Sequence, residues 1–290
     1  MKTKGRLLLV LVIAIVLVAG GVTWYANQGP PERPVLADAT PAASVTLDAT
    51  GVPALNAQLA TAGINHFRIV TGSGEMEISP SADDKVHVSL ELRQQNKSLL
   101  FFFHWLSSDT VRDILAATLE QARHGDTLEL ALVYPSGQDR SDIQEHWKVQ
   151  LPPRLMVEAS MYAGEFKITG MQGGVKSTLT AGETVLEGVS GPVEASVRYG
   201  RLHVISASTT PGVLDVVSDH GLALLSLDGK YYGPPQTHGF LSNVHLIGNS
   251  VEQREKGRDD MHLSVAYGEV DLRVGPLGDF KDYHDVFKED

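Results

Sequence analysis

Four consecutive blocks of this chain can be written under one another, and that repeat limits the fold more than any other feature. They are LMVEASMYAGEFKITGMQ from Leu155, GGVKSTLTAGETVLEGVS from Gly173, GPVEASVRYGRLHVISAS from Gly191 and PGVLDVVSDHGLALLSLD from Pro211. Gly164, Gly182 and Gly200 stand 18 residues apart, Gly221 takes the same place in the fourth block, and a further copy, DMHLSVAYGEVDLRV, returns around Gly268. Before each glycine the apolar residues alternate, as in Val157, Ala159, Met161 and again in Val193, Ala195, Val197. After it they alternate again: Phe166 and Ile168, Leu202 and Val204, Val270 and Leu272. A period of two over four to six residues means a strand with one buried face. Glycine at the junction permits a corner that a Cβ would obstruct. One block cannot bury its own apolar side, so copies must stack to share a core.

Two all-β folds satisfy this pattern. One is a parallel β-solenoid with a rung of about 18 residues; the other is a meander of hairpins turning near pairs such as Tyr199 and Gly200. The outward residues favour the solenoid. Glu158, Lys176 and Glu194 share one repeat position and Ser160, Thr178 and Ser196 another. On adjacent rungs, about 4.8 Å apart, these would make an ion ladder beside a hydroxyl ladder. Glu165 beside Glu183 argues the other way, because like charges in register repel.

Upstream, Phe67 to Ile78, Val86 to Leu92, Thr127 to Tyr134 and His146 to Leu151 also read as strands. Between them, Val111, Ile114, Leu115, Leu119 and Ala122 follow helical spacing, which predicts one inserted helix over Thr110 to His124 with Gly125 as its stop. The repetitive β domain is expected over residues 51–276, with an insertion at 99–125.

Ahead of the domain, Lys2, Lys4 and Arg6 precede an uninterrupted apolar run from Leu7 to Val22, followed by Trp24 and Tyr25. From Leu7 to Tyr25 a helix would reach roughly 29 Å, enough for a hydrocarbon core. The basic flank keeps the N-terminus cytoplasmic, which sends the rest of the chain across the membrane. Residues 1–26 are therefore expected to be a signal anchor or a signal peptide. The adjoining aromatic pair and the lack of an A-x-A site favour the single-pass anchor. Residues 27–50, rich in Pro and Ala, read as an extended linker, and residues 277–290 as an acidic tail.

The net charge is −11, and −14 once Lys2, Lys4 and Arg6 leave with the leader. Such a domain repels phosphate backbones, so nucleic acid is not expected as a partner. With no cysteine in the chain, disulfides, thiolate metal sites and cysteine nucleophiles are excluded.

The run HWKVQLPPRLMVEASMYAGEFKI, with later corners at AGETVL, YGRLHV and YGEVDL, resembles the putative-adhesin, head-GIN-like superfamily of bacterial domains of unknown function. The resemblance spans about Ile64 to Val274 and is strongest from His146 to Ser208. It implies a β-solenoid of the cell envelope acting in adhesion or envelope-stress signalling, with no catalytic residues to carry over. The stretch Leu99 to Gly125 departs from the pattern.

Candidate chemistry is sparse. LLFFFHWL, from Leu99 to Leu106, offers Phe101, Phe102, Phe103 and Trp105 as a contact patch for lipid, glycan or protein, or as a small core packed on the inserted helix. Eleven histidines show no metal-ligand spacing, so no metal or other cofactor is expected. Glu165, Glu183 and Glu187 form the nearest approach to the paired carboxylates of a glycosidase, yet the repeat alone explains their positions. The expectation is a non-catalytic scaffold or adhesin-like binding domain meeting an envelope protein or glycan outside the cytoplasmic membrane. A carbohydrate-active solenoid enzyme and an envelope-stress sensor subunit are the alternatives.

Overall fold

The computed structural model describes residues 36–94, 108–135, 143–206, 211–227, 236–238, 241–247 and 261–274. The leader, the cluster holding Phe101, Phe102, Phe103 and Trp105, and the acidic tail lie outside the described residues. Among the described residues no helix is long and apolar enough to cross a membrane.

The elements, in order, are β1 (Thr40–Ser44), β2 (Thr46–Leu47), β3 (Pro53–Ala60), β4 (His66–Pro80), β5 (Lys85–Gln94), α1 (Ser108–Leu115), β6 (Thr118–His124) and β7 (Thr127–Val133). There follow β8 (Ile143–Leu151), β9 (Met156–Thr169), β10 (Val175–Glu187), β11 (Gly191–Ser206), β12 (Pro211–Leu227), β13 (Gln236–His238), β14 (Leu241–Ile247) and β15 (Met261–Val274). The described residues are all-β apart from α1, and every described strand belongs to one large sheet.

Within the repeat, from β9 to β12, strands adjacent in sequence pair in parallel, which excludes hairpin connections between the repeats. Val175 of β10 faces Val157 of β9 on one side and Val193 of β11 on the other. β11 pairs β12, and β12 pairs β15, again in parallel. On the other flank β9 pairs β4, setting Gly164 against Gly74 across 90 residues of chain.

Each long strand bends at its glycine, and burial shows why. In β9 the buried residues are Val157, Ala159 and Met161 before Gly164, then Phe166 and Ile168 after it. The phase of alternation thus slips by one at the corner. Without a bend, that slip would send the second set to the opposite face; with it, both arms turn their apolar sides inward. The same slip occurs in β4, from Phe67, Ile69 and Thr71 to Met76 and Ile78, and in β11, from Val193, Ala195 and Val197 to Leu202 and Val204. Fully buried Met171 and Val189 fill the turns between rungs. These turns stack as well, with Ser190 N donating to Met171 O at 2.8 Å.

The interior is not wholly apolar. Thr184 is fully buried, in register between Phe166 and Leu202, and its Oγ1 has no hydrogen-bond partner among the described residues. An unpaired buried hydroxyl costs stability that a methyl of similar shape would not. Thr184→Val is therefore expected to stabilise the domain by about 1 kcal/mol, raising Tm by roughly 2–4 °C in a thermal melt.

At both ends of the stack the rung is divided. β7 pairs the first arm of β4 up to Val70, and β8 pairs its second arm from Ser73. β13 and β14 divide in the same manner over β15, ending at Ser264 and resuming at Tyr267. Beyond β7 and β8 the sheet turns antiparallel, through β6 and β1 on one side and β5, β3 and β2 on the other.

Two expectations need correction. The helix predicted over Thr110 to His124 stops at Leu115, and Thr118–His124 is strand β6, joined to β7 by a turn with Gly125 at φ 63°. The helical spacing of Leu119 and Ala122 is overridden because β6 is hydrogen-bonded on both edges, to β7 and to β1. Gly125 serves the hairpin turn and does not stop a helix. The linker expected over residues 27–50 also gives way, since β1 and β2 lie within it. Val45, between these two strands, is 5% exposed and donates its N–H to Ala117 O at 3.0 Å. The sheet thus begins at Thr40, ahead of the expected boundary at 51.

Candidate functional site

The corner glycines form a column. Gly74, Gly164, Gly182, Gly200, Gly221 and Gly268 pair in register, with φ between 130° and 152°. A Cβ added to Gly182 would lie 1.9 Å from Gly164 O, and one on Gly200 would lie 1.8 Å from Gly182 O. These positions have no room for a side chain. Gly74 was legible as a corner, since FRIVT before it and MEI after it carry the same slipped alternation, but the GSGE motif there resembles a nucleotide turn lacking its helix.

Next to this column runs a stack of rings. Tyr199, His220 and Tyr267 occupy one register position on β11, β12 and β15. Their centroids are 5.0 Å and 4.8 Å apart and their planes 26° and 20° from parallel. The Arg198 guanidinium lies 5.4 Å from the Tyr199 ring centroid. His220 is thus one of three stacked rings along the outer corner. Toward β9 the row continues with Ala181 and Ala163, so the ring stack ends at Tyr199.

On the first arm, charges alternate across five strands, from β7 through β4, β9 and β10 to β11. Arg68 lies between Glu129 at 3.2 Å and Glu158 at 3.7 Å, and Lys176 pairs with Glu194 at 3.4 Å. Most of these side chains are about half exposed, so each pair contributes at most about 1 kcal/mol. Ser160, Thr178 and Ser196 stand in register two residues further along. Together they make an open, regularly spaced polar face.

The second arm carries the acidic row. Glu75, Glu165 and Glu183 are in register on β4, β9 and β10. His146 Nδ1 lies 3.0 Å from Glu75 and His203 Nε2 lies 3.6 Å from Glu183, while Glu187 pairs with Lys167 at 3.7 Å. The carboxylates are spread along an exposed face, with Glu75, Glu183 and Glu187 each beside a basic group. Among the described residues no group of His, Asp and Glu side chains could hold a metal ion.

One carboxylate is buried. Glu145, 2% exposed, sits where β8 passes Gly74. Its Oε2 accepts from Trp147 Nε1 at 2.9 Å and from Gly72 N at 3.4 Å, and its Oε1 accepts from Tyr134 OH at 3.2 Å. Three neutral donors hold it in the corner of the divided rung. It ties β4, β8 and the end of β7 together.

No family model and no curated protein matches the chain. Among solved structures it is similar to a "putative cell adhesion protein" from Clostridium sporogenes, at 12% identity and a TM-score of 0.44, over 77% of this chain and 99% of that one. It is also similar to a "putative lipid binding protein" from Parabacteroides distasonis, at 10% identity and a TM-score of 0.20, over 76% of this chain and 96% of that one. At these values neither likeness bears on function.

Proposed function

We propose that this chain is a non-catalytic binding module of the cell envelope, a β-solenoid that an N-terminal membrane segment holds outside the cytoplasm and whose outer face meets another envelope component. The observation that carries this reading is the unbroken, registered polar face along Arg68, Glu158, Lys176 and Glu194 with its hydroxyl row beside it. A solvated face with fixed charge spacing can meet a partner of complementary charge, which gives specificity and orientation more than affinity. Acid–base catalysis on sugars needs two carboxylates converging on one cleft, and the acidic row of the second arm lies on an open surface instead. The resemblance to envelope adhesins and the basic-then-apolar leader support the compartment.

The absence of cysteine makes the test simple. Thr178→Cys and Ser196→Cys each introduce one thiol on the ladder face. A membrane-impermeant maleimide is expected to label both in intact spheroplasts, and a thiol-attached photo-crosslinker at either position is expected to capture another envelope component. Ala49→Cys, in an exposed turn, is expected to label without crosslinking. Labelling that requires lysis would remove the export, and equal crosslinking from all three positions would remove the ladder face as the contact.

A further inference from the structure

Away from the ladder face, a groove of about 560 Å³ crosses the outer side of four neighbouring strands, β3, β5, β8 and β4. Its lining is laid out in two registered rows. Asn56, Ser89, Lys148 and Glu77 stand side by side in one. Gln58, His87, Gln150 and Ser79 stand side by side in the other. Hydrogen-bonding groups therefore recur about every 4.8 Å across the strands and about every 6.6 Å along them. The residues between them, Val88, Val149 and Ile78, are buried on the opposite side.

One edge of the groove is fixed before any ligand arrives. His87 Nε2 lies 2.7 Å from Asp83 Oδ1, and that hydrogen bond holds the Asp83 carboxyl below its ordinary range. An ionised Asp83 accepts the Nε2 proton, which leaves His87 Nδ1 to accept from Gln58 Nε2 at 3.4 Å. Gln58 Oε1 in turn accepts from Lys85 Nζ at 3.3 Å. This chain of four side chains sets the orientation of an amide and an imidazole. The side chains of Asn56, Ser89, Lys148 and Gln150 spend no hydrogen bond on any described residue, so their donors and acceptors are open to the groove.

The chemistry of the lining selects among ligand classes. Lys148 and Glu77 are neighbours in register and His87 is paired with Asp83, so the groove has no net sign with which to select an ion. The exposed large hydrophobic residues among those described, Leu47, Leu115 and Tyr267, lie outside it, so it offers no seat for a lipid chain. β4, β5 and β8 are each paired on both edges, so an extended peptide could join only at the outer edge of β3, the groove's margin, and not across its floor. What remains is a ligand that is uncharged, offers donors and acceptors together, and needs an array of amides and hydroxyls. We infer that this groove binds a neutral glycan, with the amide of Gln150 and the hydroxyl of Ser89 as central contacts.

The inference adds a ligand class and a second site to the binding reading, and it can fail alone, because crosslinking from Thr178 does not involve these residues. The full-length protein in detergent micelles is to be screened on an array of neutral oligosaccharides, and the strongest hit titrated by calorimetry. Binding is expected, with Gln150→Ala and Ser89→Ala each weakening it about tenfold, as loss of a hydrogen bond to a ligand would. Both variants are expected to keep the parent Tm, and Lys176→Ala on the ladder face to keep full affinity. No binding to any neutral oligosaccharide would overturn the proposal. Unchanged affinity in both groove variants, or binding to acidic peptides in preference to saccharides, would overturn it as well.

Discussion

Gly182→Ala is expected to cost about 4 kcal/mol or more and to leave little folded protein, because the new Cβ would sit 1.9 Å from a backbone oxygen of the next rung. Two penalties coincide there. The φ of 130° is unfavourable to any residue with a Cβ, and the obstacle is Gly164 O, which cannot swing aside as a side-chain tip could. Relief would require parting two strands that are hydrogen-bonded to one another along both arms. A control separates the penalties. Gly63 has φ 74° and nothing within 4 Å of its missing Cβ, so Gly63→Ala should cost only about 1 kcal/mol. Chemical denaturation of the two variants measures the difference, and similar losses would mean that the glycine column is not a close-packed contact.

The second large effect concerns length. Excision of residues 173–190 removes one full repeat and joins Gln172 to Gly191, so that β11 can pair β9 directly. Val193 then meets Val157, Met161 meets Val197 and Phe166 meets Leu202, all apolar pairs, and Gly200 falls on Gly164. The cost lies in Ala159 over Ala195, which leaves space, and Glu158 beside Glu194, which sets like charges in register. Stacked repeats behave as a sum of units and nearest-neighbour interfaces, so the shortened chain is expected to fold with a loss of a few kcal/mol. Excision of residues 173–181 alone removes one arm and leaves a rung that cannot cover its neighbours. That product is expected to be insoluble or unfolded by circular dichroism, although it loses half as many residues.

How far the sequence announces this architecture depends on where its information resides. The stack from β9 to β12 is written locally: the spacing of Gly164, Gly182 and Gly200 and the slip of alternation at each are visible in a single line of text. The partner of β9 on its other side is not, because β4 lies 90 residues upstream and the chain between is occupied by an antiparallel edge. β6 is concealed by its own composition, since Leu119 and Ala122 satisfy a helical period and only pairing to β7 and β1 makes it a strand. β1 and β2 are hidden in a segment whose Pro and Ala content suggests a tether. The polar groove is the least legible feature of all. It is assembled from four short stretches, none with a motif, and exists only once antiparallel register sets Ser89 beside Lys148 and His87 beside Gln150.

The divided rungs at the two ends bear on self-association. An open parallel stack is an invitation to grow, since any chain with the same outline could add on and extend the array into a fibre. Among the described strands neither outermost layer repeats the bent glycine profile: β8 sets Glu145 opposite Gly74, and β14 sets Ser242 opposite Gly268. A second molecule offering its own bent strand would find no glycine in register with its own, so among the described strands the broken repeat presents no like surface on which to extend.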